Sequence, residues 1–247
     1  MTAVSPLHQF EIKTLIPIKC AGFDISFTNA SLWMVIVAVF LCILGHVVTR
    51  QTTIIPGRLS VAFEYVYDFM VGLLKSNLGR EGRTYFPYVF PLFLFILTAN
   101  LAGMLPYSFT ITSHIVVTLA LALTVFVSAT AIGIHKHGVH FLRTFYPKGT
   151  PLFVAPILVT IEIISFLSRP ISLAARLFAN MVAGHVMIKI FAGLVGMLLK
   201  TPLALFSILP ILLNTALTGF EIMVALLQAY VFTLLACIYL NDALSLH

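Results

Sequence analysis

Long apolar runs separated by short polar breaks dominate the chain. Asp, Glu, Lys and Arg are absent from residues 84–135, and residues 201–241 hold one charge, Glu221. About 20 apolar residues are enough for a helix to cross the hydrocarbon core of a bilayer. The pattern therefore predicts membrane helices over residues 30–49, 85–106 and 112–134, followed by two longer apolar segments over residues 150–200 and 203–240.

Residues 58–78 follow a different pattern, in which apolar and charged positions alternate. Glu64, Asp68 and Lys75 interrupt a series of aromatic and aliphatic side chains. Such a segment is typical of an amphipathic helix that lies on the membrane surface.

The last two apolar segments are too long for upright helices. At 1.5 Å per residue they would extend about 75 Å and about 57 Å, against a hydrocarbon core of about 30 Å. Pro170 and Pro210 permit bends, but polar stripes along both segments favour continuous helices. We therefore predict an all-α polytopic membrane protein with about five membrane helices, the last two long and strongly tilted, plus one amphipathic surface helix. Residues 1–247 are expected to form a single integral membrane domain.

Composition and charge support this class. Hydrophobic residues make up 60% of the chain and charged residues 9%. The net charge of +6 comes from basic residues scattered among short loops, which argues against nucleic acid as a partner. Lys and Arg concentrate in residues 50–83 and 135–148, so the positive-inside rule predicts an outer N-terminus and an inner C-terminus. Cys20, Cys42 and Cys237 lack metal-site spacing and are expected to pack.

Arg176 lies near the middle of the first long segment. A guanidinium at membrane depth costs about 2.5–3.5 kcal/mol on insertion scales and cannot lose its proton, so a functional role is expected. Glu162, Arg169 and Arg176 recur every seven residues, with Asn180 one turn further on nearly the same face. His185 lies about 180° around that helix from Arg176.

The second long segment carries its own stripe. Asn214, Glu221 and Gln228 are again seven residues apart, and Tyr239 continues the stripe. A hairpin folded near Lys200 would set position 217 opposite His185 and position 222 opposite Asn180. Glu221, His185 and Asn180 would then lie on the outer side of Arg176, and Glu162 on the inner side.

Titratable groups on both sides of a fixed charge suit proton conduction through two separate aqueous paths. Small residues around Arg176, including Ala179 and Gly184, would let a partner helix carrying a carboxylate approach closely. Other interpretations stay open. Asn214 and Gln228 can act as helix-packing groups, and Arg169 can snorkel or pair with Glu162.

Three further hypotheses are weaker. His135, His137 and His140 offer metal-ligand chemistry, but a solvated loop is expected there and no metal is predicted. A self-contained proton-coupled antiporter is the alternative function, although neither internal repeats nor paired broken helices are found. A haem protein would need histidine pairs on membrane helices, and no cofactor is predicted.

The segment from Arg169 to His185, RPISLAARLFANMVAGH, resembles the signature of subunit a of the F-type ATP synthase membrane sector. Residues 100–107 (NLAGMLPY) and Glu221 with residues 227–232 (LQAYVF) are similar to its other characteristic segments. The N-terminal HQFEI of residues 8–12 resembles alphaproteobacterial members.

The resemblance implies a non-catalytic stator subunit beside a rotating ring of c subunits, with subunit b and other ATP synthase subunits as partners in a bacterial inner membrane. Arg176 matches the arginine that faces the ring carboxylate, and Glu162 matches a position toward the inner half-channel. Positions associated with the outer half-channel or the rotor interface match Glu221, His185, Asn180, Asn214 and Gln228. Some bacterial members carry the acid and the histidine of the Glu221–His185 pair in reversed positions.

Overall fold

Six α-helices account for most of the computed structural model, which describes residues 11–17, 19–20, 23–24, 26–50, 57–105, 108–138, 141, 155–202 and 204–244. Five of these helices are long and apolar enough to cross a membrane. The predicted all-α polytopic membrane class is therefore confirmed. The helices are α1 (Asn29–Arg50), α2 (Arg58–Leu78), α3 (Gly82–Gly103), α4 (Ile115–His137), α5 (Ala155–Leu198) and α6 (Ile208–Leu244).

Short strands precede α1, where the apolar pattern gives no sign of them. β1 (Thr14–Ile16) pairs antiparallel with β4 (Phe27–Thr28), and β2 (Lys19–Cys20) pairs antiparallel with β3 (Phe23–Asp24). Asn29, the first residue of α1, accepts from the Lys13 amide and donates to the Glu11 carbonyl. These bonds fix the start of the first helix.

The two long segments are continuous helices, as predicted. α5 has 44 residues and includes Pro170, and α6 has 37 residues. Their lengths, about 66 Å and about 56 Å, exceed the thickness of the hydrocarbon core, so neither can stand upright in a bilayer. Pro210 falls in the first turn of α6, where a missing N–H breaks no helical hydrogen bond.

The second and third spans begin and end elsewhere than the apolar pattern predicts. α3 covers 82–103 rather than 85–106, and α4 covers 115–137 rather than 112–134. A 3-10 turn, Ile111–Ser113, precedes α4 and is held by a 2.6 Å bond from the Ser113 hydroxyl to the Thr110 carbonyl. The polar residues His135, Lys136 and His137 continue α4 instead of starting a loop. Pro106 and Tyr107 lie outside the described residues.

Two compact units make up the fold. The first combines α1, as far as Val47, with residues 94–114 and with residues 177–229, which form the hairpin between α5 and α6. The second combines residues 48–93, which include α2, with 115–176 and the end of α6 from Tyr230.

The packing of α2 within the second unit accounts for the amphipathic pattern of residues 58–78. α2 spans these residues and buries Met70, Leu73, Leu74 and Leu78. Phe63 and Tyr67 set their rings edge-on against the rings of α3, while Glu64, Asp68 and Lys75 stay exposed. The charged positions of α2 therefore lie away from its buried side chains, which is the arrangement of an amphipathic helix.

Candidate functional site

A histidine and a glutamate meet inside the first unit. His185 Nδ1 lies 2.5 Å from Glu221 Oε1, with 12% and 5% of the two side chains exposed. The two groups form an ion pair whenever His185 is protonated and Glu221 is ionised. The sequence predicted both residues but not their direct contact.

Gly184 makes room for this pair. A methyl group built on Gly184 would lie 2.7 Å from Glu221 Oε1 and 2.9 Å from the carboxyl carbon. Any side chain at this position would therefore push the carboxylate away from His185. Gly184, predicted as a contact for a partner helix, is required within the chain itself.

The helical hairpin has a different register from the one predicted. His185 faces Glu221 rather than position 217, and Asn180 donates to Gln228 rather than facing position 222. α5 ends at Leu198 and α6 begins at Ile208, with a 3-10 turn at Ala204–Ser207 between them. The connection between the two helices therefore lies beyond Lys200 in the chain, which moves every opposing pair by about one helical turn.

The other nitrogen of His185 contacts the connection between α3 and α4. Nε2 lies 2.9 Å from the Gly103 carbonyl oxygen and 3.1 Å from Thr110 Oγ1. The Thr110 hydroxyl donates in turn to the Gly103 carbonyl over 3.3 Å. On the Glu221 side, Nδ1 also lies 3.1 Å from the Met181 carbonyl oxygen. Both edges of the imidazole are thus held by neighbours.

Two hydrogen bonds donated by side-chain amides add to the polar contacts of this unit. Asn180 Nδ2 donates to Gln228 Oε1 over 2.9 Å, and Asn100 Nδ2 donates to the Ala225 carbonyl over 3.3 Å. Asn100 and Gln228 are buried. The Asn180–Gln228 bond joins two of the predicted site residues across the hairpin.

Arg176 has a different environment. Its side chain is exposed and makes no hydrogen bond or ion pair with the described part of the chain. Ala175, Ala179 and Ala183, on neighbouring turns of α5, are exposed as well. The charge therefore lies on a helix face with little side-chain bulk around it.

The remaining two predicted site residues are Asn214 and Glu162. Asn214 is half-buried, and its backbone carbonyl accepts from the Thr218 hydroxyl. Glu162 is half-buried on the first half of α5.

Arg169 belongs to a separate cluster in the second unit. Its Nη1 donates to Asp242 Oδ2 over 2.8 Å, and its guanidinium lies 5.5 Å from the ring centre of Tyr239 and 5.9 Å from that of Phe166. The pairing with Glu162 considered from the sequence is not found. Helical spacing favours partners on the same helix, whereas the partner here comes from the end of α6.

The histidine-rich segment shows no metal cluster within the described ranges. His137 Nε2 lies 3.0 Å from the Leu244 carbonyl oxygen at the end of α6. His135 lines a cavity of about 540 Å³ with Tyr85 and Lys136. His140 lies outside the described residues, as do Arg143 and Lys148.

Sequence reasoning missed Gly103, Thr110 and Asp242 as contact residues. Gly103 contributes a backbone oxygen, which any residue type could offer. Thr110 is one of several hydroxyl residues in an uncharged connection. Asp242 gave the strongest signal, since it is an acid at the end of an apolar segment whose polar stripe already included Tyr239.

Comparison with known proteins connects this geometry to a family. The family model described as ATP synthase A chain matches residues 31–241. Relatives include ATP synthase subunit a of Rhodospirillum rubrum, from the species and from one of its strains. Each is 49% identical over 243 residues, which cover 98% of this chain and 99% of the relative.

The match extends from α1 to the end of α6 and therefore includes the hairpin with its buried pair. The resemblance inferred from the sequence motifs, including its alphaproteobacterial character, is confirmed by this identity. The chain belongs to the ATP synthase A chain family, as a multi-pass, non-catalytic membrane subunit with a role in ATP synthesis and proton transport.

Proposed function

We propose that this chain is the stator proton channel of a rotary ATP synthase, with two offset half-channels that carry protons to and from carboxylates on a ring of c subunits. Ring rotation is coupled to ATP synthesis, and subunit b with the other synthase subunits holds the chain in place. Family membership supports the general role. The assignment of residues to half-channels rests on their geometry and on the resemblance of their motifs.

The buried His185–Glu221 pair is the observation that carries the proposal. Two titratable groups whose atoms lie 2.5 Å apart, and whose side chains are largely buried, can exchange a proton directly. Structural ion pairs are seldom retained in apolar surroundings for stability alone, because desolvation offsets much of their attraction. We assign this pair to the outer half-channel, with Asn180, Gln228 and Asn214 as polar groups along it or at the rotor interface.

Arg176 is the proposed fixed charge between the half-channels. Its guanidinium is exposed and makes no hydrogen bond or ion pair with the described residues, so its charge is available to a group from another subunit. A ring carboxylate that comes close would be stabilised in its ionised form. The exposed alanines on neighbouring turns leave space for such an approach. Because arginine keeps its proton, it also blocks direct passage between the two paths.

Glu162 is the proposed inner group. A proton that enters from outside neutralises a ring carboxylate, which can then face lipid at a tolerable cost, whereas the ionised form cannot. After nearly a full turn of the ring, the proton leaves along the path near Glu162. Each charge that crosses the membrane potential supplies about 2.3 kcal/mol per 100 mV.

The proposed location is a bacterial inner membrane, with the N-terminus periplasmic and the C-terminus cytoplasmic. The basic connections at residues 50–83 and 135–148 support this orientation. Single cysteines introduced at Lys136 and Thr201 provide the test. A membrane-impermeant maleimide should label Thr201→Cys from outside and Lys136→Cys from inside, and the reverse result would invert the topology.

The test of function compares two arginines on the same helix. ATP-driven acidification of inverted vesicles should be abolished by Arg176→Gln. Arg169→Gln, which removes a charge already paired with Asp242, should retain most of it. Native gels would establish that both complexes assemble. Normal pumping by an assembled Arg176→Gln enzyme would contradict the fixed-charge role.

A further inference from the structure

The contacts around His185 Nε2 differ in kind from those around Nδ1. The Gly103 carbonyl oxygen, 2.9 Å from Nε2, can only accept a hydrogen bond. A hydrogen on Nε2 therefore makes this contact attractive, whereas a lone pair there would face the carbonyl oxygen. Nδ1 lies 3.1 Å from the Met181 carbonyl oxygen, which also only accepts. Its nearer neighbour is the Glu221 carboxyl group at 2.5 Å, which accepts when ionised and donates when protonated.

Thr110 reinforces the hydrogen on Nε2. Its hydroxyl donates to the Gly103 carbonyl over 3.3 Å, which leaves its oxygen lone pairs to accept from Nε2–H over 3.1 Å. Thr110 and Gly103 are both buried, so water does not compete readily for these bonds. Gly103 must be glycine for this arrangement, because a methyl group there would lie 2.8 Å from Thr110 Cγ2 and 3.1 Å from Oγ1.

We propose that Thr110 and the Gly103 carbonyl are positioning groups that keep hydrogen on His185 Nε2, so that Nδ1 is the atom that exchanges the transported proton with Glu221. This inference rests on the proposed function of the pair and adds its atomic order. Which nitrogen carries a hydrogen in a histidine is set by the hydrogen bond that the other makes.

The exchange is a proton transfer within a pair of constant charge. In one state, imidazolium faces carboxylate. When the Nδ1–H bond breaks and an O–H bond forms at Oε1, a neutral imidazole with hydrogen on Nε2 faces a neutral carboxylic acid. The Nε2–H bond is unchanged in both states, so the ring need not flip. Of the four ring contacts given above, the one with Glu221 is titratable, and those with Gly103, Thr110 and Met181 are not.

The spectroscopic test uses the assembled enzyme in membranes, with ¹⁵N-labelled histidine. The His185 signals would be identified by their loss in His185→Gln. We expect Nε2 to remain protonated across the titration while Nδ1 changes its state. A neutral His185 with hydrogen on Nδ1 and a bare Nε2 would overturn the proposal.

The functional test uses vesicle acidification with matched threonine variants. Thr110→Val should slow pumping several-fold, because the isosteric side chain removes the hydroxyl, and Thr110→Ser should restore it. Thr112→Val is the control, since Thr112 is buried in the same connection and its hydroxyl has no partner within the described ranges. Pumping by Thr110→Val equal to that by Thr112→Val would overturn the positioning role.

A second pair of variants separates a positioning role from a general packing defect. Gly103→Ala should slow pumping by displacing Thr110, and adding Thr110→Ser should recover part of the loss by removing the Cγ2 that is in the way. Additive losses in the double variant would contradict this account. Loss of pumping by His185→Gln, together with unaffected Thr110 variants, would retain the proposed function and reject only this inference.

Discussion

The two compact units of the fold differ in how far the side chains of their ion pairs are exposed. The first buries the His185–Glu221 pair, with 12% and 5% of the side chains exposed. The second keeps its ion pairs near the surface, with 29% and 46% exposed for Arg169 and Asp242, and 39% and 53% for Lys136 and Glu81. A buried pair has strict requirements for geometry, whereas an exposed pair does not.

The buried pair and an exposed pair also differ in the contacts that surround them. His185 is held on both ring edges, and Gly184 leaves the space that the Glu221 carboxylate occupies. Lys136 reaches Glu81 from the last turn of α4, where a flexible side chain can adapt. Supporting contacts therefore accompany the buried pair and not the exposed pairs. We expect small changes in the first unit to have the larger effects.

The largest effect is expected from breaking the buried pair. His185→Leu leaves the Glu221 carboxyl group buried without its partner, a change that costs about 3–5 kcal/mol in comparable sites. Proton pumping in vesicles should fall at least tenfold. Exchange of the two residues, His185→Glu with Glu221→His, keeps the pair and should recover measurable pumping. A single variant as active as the double exchange would place the chemistry elsewhere.

The next largest effect is expected from replacing Gly184 rather than Gly193, two glycines of α5. Gly184→Ala should lower pumping several-fold, because the new methyl group meets the Glu221 carboxylate at 2.7 Å. Gly193→Ala is its control, since a methyl group there meets nothing within 4 Å, and it should stabilise the helix by up to about 1 kcal/mol. Thermal unfolding of the purified complex and vesicle acidification would measure both. Equal loss in the two variants would indicate a general intolerance of α5.

A smaller effect is expected at the Arg169–Asp242 pair. Arg169→Gln, Asp242→Asn and the double variant form a cycle whose coupling free energy should be about 1 kcal/mol or less, because both groups are partly solvated. Thermal unfolding of the complex would give the coupling. A value as large as that of the buried pair would contradict the contrast between the units.

The smallest effect is expected at the Lys136–Glu81 pair. Lys136→Gln should change stability by about 0.5 kcal/mol or less, since both side chains are well exposed. The difference from the wild type should shrink further as salt is raised, because the Debye length falls to about 3 Å at 1 M. Unfolding at low and high salt would check this, and a salt-independent loss would point to a packing role for Lys136.

Much of the fold could be predicted because apolar run length has a direct physical meaning in a membrane. α2 covers the predicted residues 58–78, and the α5–α6 hairpin is built of two long helices as expected. The ends of α3 and α4 could not be read from apolar runs, because they depend on particular bonds. Ser113 holds a 3-10 turn inside an apolar stretch, and polar residues continue α4 as far as His137.

The site was only partly accessible to sequence reasoning. Spacing by sevens identified Glu221 and Gln228. For Arg169 it offers either snorkelling or an acid on the same helix, Glu162, whereas the structure pairs Arg169 with Asp242. Periodicity reports which residues share a face of one helix. It carries no information about the register of a second helix, which here depends on where the turn after Leu198 ends.

The sequence by itself determined the membrane class, the long helices, the family and the residues whose charge is costly in an apolar environment. Each follows from composition, run length or motif, which are local properties. Only the tertiary structure decided that His185 Nδ1 faces Glu221, that Gly103 and Thr110 hold Nε2, and that Arg176 is left exposed. These facts depend on backbone atoms and on a hairpin register set by the turn, because contacts between distant segments arise only when the helices pack.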